Sequence, residues 1–186
     1  ARVLLGSNNE HARNTKGARG NQAVISSTLI FLASLVVGYL ATTLSLWLAH
    51  WFAHLRGGPL TGFHVLGHHA HYPSSRASLS RKFLYGSGWH DSVYAFVPWL
   101  TLLAVGIWFA FPLALAIVVT LEAVAIVVLS SYLHEQFHLE GSRLRRYAGF
   151  RCARLRHFLH HDHSVNFAVY DHLWDWIFGT YGKVKV

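Results

Sequence analysis

AVISSTLIFLASLVVGYLATTLSLWLA, residues 23–49, is a run of 27 residues without one charged side chain. About 20 apolar residues suffice to cross the hydrocarbon of a bilayer. A membrane helix is therefore expected near 23–54, ending on His50 and His54. A second uncharged run, VYAFVPWLTLLAVGIWFAFPLALAIVVTL, covers residues 93–121 and contains Pro112. Proline lacks the amide donor and disfavours helix in the residue before it. This run is thus expected to split into helices near 93–110 and 112–138, packed as a hairpin. Residues 1–22 are polar, rich in Gly, Asn and basic side chains, and are expected to form a mobile tail ahead of one domain, 23–186.

Composition agrees with a membrane protein. The 186 residues are 53% hydrophobic and only 13% charged, against about 25% charged in ordinary soluble domains, and the mean hydropathy is +0.30. The net charge of +8 is read as membrane topology, with no nucleic-acid partner expected. A single cysteine, Cys152, excludes an intrachain disulfide. No methionine is present, so the natural start is expected to precede residue 1.

The hairpin would bring the ends of the first and third membrane helices to one face. That face would carry 12 of the 16 Lys and Arg residues, which makes it cytoplasmic by the positive-inside rule. Four basic residues of the tail would then lie opposite, a conflict that a further helix before residue 1 or a re-entrant first segment would remove.

Histidines gather on the same face. HWFAH supplies His50 and His54. HVLGHHAH supplies His64, His68, His69 and His71. HEQFH supplies His134 and His138. HFLHHDH supplies His157, His160, His161 and His163. Residues spaced i, i+3 and i+4 share a helix face, so each cluster can project as a group, and imidazole suits Zn, Fe, Cu and Ni. Twelve clustered histidines exceed the needs of one metal and point to two. On ideal α-helical geometry His64, His68 and His71 share a face while His69 points about 100° away, so which of the four bind is open. His11, His90 and His172 stand alone and are read as ordinary histidines. HEQFH is also literally H-E-x-x-H, the zinc protease pattern, with Glu135 as general base. A membrane zinc protease is therefore the alternative, although it leaves three clusters without a role.

The four clusters in order, together with the tail NFAVYDHLWDWIFGTY (166–181), resemble the fatty acid hydroxylase/sterol desaturase superfamily of membrane histidine-rich oxygenases. Asn166, Trp174, Asp175, Phe178, Gly179 and Thr180 carry the likeness in the tail. The resemblance implies an all-α integral membrane protein with a cytosolic histidine-rich di-metal cap. It implies two Fe ions as cofactor, with O₂ as co-substrate and Zn able to occupy the site in purified samples. The implied activity is hydroxylation or desaturation of a membrane lipid such as a fatty acyl chain or sterol, with a carotenoid as a further option. Electrons would come from an external donor such as cytochrome b5 or a ferredoxin.

Position by position, the resemblance implies one metal on His50, His157 and His160, and the other on His54, His134, His138 and His161. The second cluster would complete both sets, with His64, His68 and His69 favoured and His71 as substitute. Its spacing, H-x3-HH-x-H, departs from the family's H-x2-HH. Glu135, Asp162, Asp171 and Asp175 are candidates to orient ligand rings from behind, and His163 is read as lying behind the ligands or at the surface. Glu122, an acid within a membrane helix, is a candidate for meeting a polar group of the substrate or a neighbouring hydroxyl. The basic stretch 142–156 is read as a solvated or lipid-headgroup face, with docking of an acidic electron donor as the other option.

Overall fold

The structure is a computed structural model that describes residues 3–56, 58, 61–84 and 93–184. His90 lies outside them. Among the described residues the regular structure is helical, apart from one isolated bridge between Ser80 and Leu139. The main elements are α1 (Val3–Ala53), α2 (Thr61–Phe63), α3 (Val93–Ala110), α4 (Leu113–His138), α5 (Ala148–Asp162) and α6 (Leu173–Ile177). Two compact units are distinguished: one ends at Val37 within α1, and the other runs from Gly38 onward and carries every histidine cluster.

The stretch expected as a mobile tail is helical from Val3. No proline interrupts α1. Its glycines Gly6, Gly17 and Gly20 each disfavour helix by about 1 kcal/mol, a small cost once the costly helix nucleus exists. Composition described the segment's polarity well and its backbone poorly.

Pro112 stands at the N-cap of α4, with φ −57 and ψ 149. Extended backbone there separates α3 from α4. Along α4 the buried residues are Ala116, Val119, Ala123, Ile126, Ser130, Phe137 and His138. From Ala116 to Ser130 the spacing alternates three and four, which defines one face of a 3.6-residue helix. The small Ala116 and Ala123 let Ile107 of α3 close against Val119, with Leu103 and Phe111 around them. On the outer face Leu113, Ile117, Leu121, Val124 and Val128 are exposed. Two helical segments, Val24–Ala53 and Leu113–His138, are long and apolar enough to cross a membrane. α1 approaches α4 closely at Gly38, where a Cβ would lie 2.7 Å from Val119 Cγ1.

Beyond the helices, backbone hydrogen bonds fasten Ser80 to the end of α4: its N–H donates to His138 O and its carbonyl accepts from Glu140 N–H. Arg154 of α5 is buried and donates to Phe137 O (2.7 Å) and Leu139 O (2.8 Å). These are carbonyls at the C-terminal end of α4, where a cation and its donors are most favourable. These ties bring the histidine-bearing ends of α4 and α5 and the 61–84 segment together.

Candidate metal centre

Each cluster is presented by helical backbone. His50 lies on the last turn of α1, and His54 one residue past it. His138 ends α4, and His134 lies one turn before it. His157, His160 and His161 project from the C-terminal half of α5. The irregular second cluster follows α2 as a π-helical turn, His64–His69. A π turn closes on i+5 instead of i+4 and recurs at functional sites. That extra residue returns His69 to the side of His64 and His68, instead of about 100° away as on an α-helix.

The side chains form two adjoining groups. His50, His54, His64, His69 and His160 make one, and His68, His138, His157 and His161 the other; within each, one donor nitrogen per ring lies within 4.8 Å of the rest. Nitrogens bound about 2.1 Å from one metal are at most about 4.2 Å apart, so each group can hold a metal ion after a small contraction. The groups touch: the rings of His69 and His161 stack at 4.3 Å.

This grouping differs from the ligand sets that the resemblance implies. His54 stands with His50, because residues four apart on α1 share a face. His157 stands with His161 on α5 for the same reason, while His160, 100° from His161, turns to the other group. His134 lies outside both sets, with its Nε2 3.1 Å from His68 Nε2. His71 also stands outside. It is exposed, and its Nδ1 donates to Gly67 O at 2.7 Å. His163 is exposed at the C-cap of α5.

The backbone sets ring orientation. Nδ1–H of His50 donates to Phe167 O, of His138 to Ser78 O, of His160 to Val165 O and of His161 to Tyr72 O. A carbonyl only accepts, so each of these neutral rings must carry its proton on Nδ1 and a bare lone pair on Nε2. Those lone pairs converge. Within the second group, Nε2 of His138 and of His161 lie 2.8 Å and 3.1 Å from Nε2 of His157. Within the first group, Nε2 of His54, His69 and His160 are buried without a hydrogen-bond partner. Buried polar atoms left unpaired cost about 1–3 kcal/mol each. Their convergence on shared points is what a set of metal donors requires, so the residues present fit metal ions.

Electrostatics favour the neutral, metal-binding form of the rings. Burial, reinforced by neighbouring imidazoles, holds His64, His68, His157 and His160 well below the usual histidine range. Burial also lowers His54 to about 4 and His161 to about 4.

Three of the four carboxylates expected behind the rings accept hydrogen bonds from groups other than the ligand histidines. Asp162 accepts from Ser75 N–H at 2.9 Å and anchors that loop to α5. Asp171 accepts from Tyr39 OH and from Leu173 N–H. Asp175 is fully buried and accepts from Trp47 Nε1, Phe167 N–H, Ala168 N–H, His172 Nδ1 and Thr180 Oγ1. Burial alone would raise its pKa, but these donors hold it below the usual carboxylate range. Asp175 thus acts on the site at one remove: it fixes the Phe167 peptide, whose carbonyl orients His50. Asn166, with φ 54, begins that peptide's turn, and its side chain binds Gly182 N–H and the carbonyls of Gly182 and Arg156. Tyr72 is the other organiser that sequence reading missed; it is fully buried, stacks on His138 at 4.0 Å and lends its carbonyl to His161. A supporting carbonyl leaves no residue-type signal, because every residue has one.

A cavity of about 380 Å³ adjoins the histidines. His50, His64 and His134 form part of its wall, Leu46, Trp47, Phe83, Leu100 and Val127 an apolar part, and Glu135 lies beside His134 on the same wall. No family model, curated protein or solved structure matches this chain.

Proposed function

We propose that the protein is a membrane-embedded di-iron oxygenase that hydroxylates or desaturates a lipid. The observation that carries this reading is the pairing of two adjoining all-histidine groups with a largely apolar cavity. Iron is the metal of choice, because zinc has no redox chemistry. Iron bound in the two groups would activate O₂ and remove hydrogen from an unactivated C–H bond, chemistry that no side chain supplies.

The chain's own residues hold, cover and orient. His50, His54, His64, His69 and His160 would hold one iron, and His68, His138, His157 and His161 the other, with His134 adjacent. The carbonyls of Phe167, Ser78, Val165 and Tyr72 keep four rings aimed inward. Leu46, Trp47, Leu100 and Val127 line the space for an alkyl chain and exclude water from it. The exposed apolar faces of α1 and α4 suit burial in lipid, and the Lys and Arg excess beyond residue 54 favours a cytoplasmic site. Electrons would arrive from a separate carrier.

The test is reconstitution of full-length protein with ferrous iron, followed by metal analysis and O₂ uptake with lipid and reductant. Two irons per chain and product lipids heavier by one oxygen, or lighter by two hydrogens, are expected. One metal per chain, or no lipid-dependent O₂ uptake, overturns the reading. The zinc protease alternative is separated by Glu135→Gln, which would abolish peptide cleavage by a protease but leave the two-iron content of an oxygenase intact.

A further inference from the structure

Away from the histidine groups, the C-terminal segment forms an open groove of about 500 Å³, and none of the grouped histidines lines it. Among the described residues its wall carries one cation, Arg156, and one acid, Asp171, together with His172, Tyr170, Trp176 and Tyr181. The Arg156 guanidinium lies over the Tyr181 ring, 5.3 Å from its centre, and the His172 ring meets the same ring at 5.7 Å. Arg156 Nε and His172 Nε2 are both buried without a hydrogen-bond partner. A buried polar atom left unpaired is costly, so both call for a partner from outside the chain.

The two atoms ask for opposite things. A guanidinium only donates. His172 Nδ1 lies 2.9 Å from Asp175 Oδ2. A carboxylate only accepts, so the neutral ring keeps its proton on Nδ1 and offers a lone pair at Nε2. A ligand that satisfies both brings an anionic acceptor and a hydrogen-bond donor close together. The Asp171 carboxylate accepts from Tyr39 OH and Leu173 N–H. Its negative charge, on the same wall as His172, favours a donor that is also a cation.

Position supplies the source of such a ligand. Val24–Ala53 is long and apolar enough to cross a membrane, and three of its side chains hold the segment that forms the groove. Tyr39 OH donates to Asp171, Trp47 Nε1 donates to Asp175, and Thr43 Oγ1 accepts from Trp174 Nε1. Next to these ties Trp176, Ile177 and Phe178 are exposed. Tryptophan and tyrosine favour the headgroup level of a bilayer, where one end of the ring is wet and the rest apolar.

We propose that this groove binds the headgroup of phosphatidylethanolamine, its phosphate accepting from Arg156 and its ammonium donating to His172 Nε2 beside Asp171. A choline headgroup has no N–H to give, and a glycerol headgroup has no cation. The lipid here is a bound partner that seats the C-terminal segment against the bilayer, and it is not the molecule oxidised. The assignment rests on the membrane part of the function proposed above and not on iron.

The experiment titrates full-length protein in detergent with dioleoyl phosphatidylethanolamine, phosphatidylcholine and phosphatidylglycerol, and native mass spectrometry counts the lipids bound. The first phosphatidylethanolamine should bind about tenfold more tightly than either other lipid, the worth of one charge-assisted hydrogen bond. Arg156→Gln should weaken it by about tenfold or more, since it removes the donor to the phosphate. His172→Phe, which keeps a ring but removes the acceptor, should abolish the preference over phosphatidylcholine. Binding of phosphatidylcholine or phosphatidylglycerol as tight as that of phosphatidylethanolamine overturns the proposal. So does an affinity that Arg156→Gln leaves unchanged. Free phosphoethanolamine binding as tightly as the lipid overturns it too, because the ligand would then be a soluble one.

Iron content and O₂ uptake are measured on the same samples, and alkaline carbonate extraction is applied to native membranes. Two irons and O₂ uptake without a headgroup preference would sink the lipid site and leave the oxygenase standing. A headgroup preference without iron or O₂ uptake would do the reverse. Release of the protein by carbonate would remove the membrane reading and the lipid site with it.

Discussion

His69 and His71 are two residues apart, and the backbone sends them to different places. The π turn returns His69 to the first histidine group, while His71 spends its Nδ1 proton on Gly67 O at the surface. His69→Ala should therefore remove about one metal equivalent per chain or weaken one site by roughly 10–100-fold, the effect typical of disturbing a metal's ligand environment. His71→Ala should leave both metals in place. Metal analysis after dialysis against a weak chelator distinguishes the two. Loss of metal from the His71 variant would show that the exposed ring moves inward on binding. The clusters themselves are legible in the sequence, because imidazoles at i, i+3 and i+4 have few other uses in such numbers. Their partition is not, since it depends on ring direction and on an irregular turn.

Among elements, the joint between α4 and α5 is the one that assembles the second histidine group. Arg154 fastens it with two hydrogen bonds to carbonyls at the end of α4. Arg154→Ala should destabilise the protein by about 2–4 kcal/mol, since charge-assisted bonds are worth roughly 1.5–3 kcal/mol each and the buried carbonyls lose their partners. Arg154→Lys should recover only part of this, because an ammonium lacks the planar fork. Denaturant midpoints of the metal-free protein in detergent provide the check. Gly38 governs the other close approach. A Cβ there would sit 2.7 Å from both Val119 Cγ1 and Glu122 Oε2. Gly38→Val should cost about 1–3 kcal/mol by overpacking, read as a lower thermal midpoint; an unchanged midpoint would mean that α1 and α4 separate easily. Glu122 meets α1 at this point, and its Oε2 is buried without a hydrogen-bond partner. Arg154 was read in the sequence as one of a solvated basic stretch, because nothing local marks it as the buried member; its neighbours Arg143, Arg145, Arg146 and Arg151 are exposed.

For the whole molecule, so many buried imidazoles make stability depend on pH. The folded protein holds His54 and His161 at about 4, against an ordinary value of 6.5. Between those values the unfolded chain binds more protons than the folded one, so stability rises with pH. The metal-free protein should be fully stable above about pH 6.5 and lose on the order of 1 kcal/mol per pH unit per such histidine as pH falls toward 4. Thermal midpoints of chelator-treated protein between about pH 7.5 and pH 5 should show the fall. Bound metal should flatten the curve near neutral pH and steepen it where protons displace the ion. A flat profile without metal would show that the histidines are hydrated and apart in solution.

The sequence by itself determined the helical class and the residues able to bind metal. Uncharged runs as long as a bilayer span read as helix, Pro112 withholds a donor between two helices, and clustered imidazoles declare their own chemistry. Only the tertiary structure decided which rings meet, because that follows from the π turn at His64–His69 and from α5 facing two ways. It also decided what holds the rings: backbone carbonyls, with Asp175 behind one of them, where the sequence suggested carboxylates. Local pattern encodes periodicity and residue chemistry, whereas the direction of a ring and the carbonyl behind it depend on contacts between residues as far apart as His50 and Phe167.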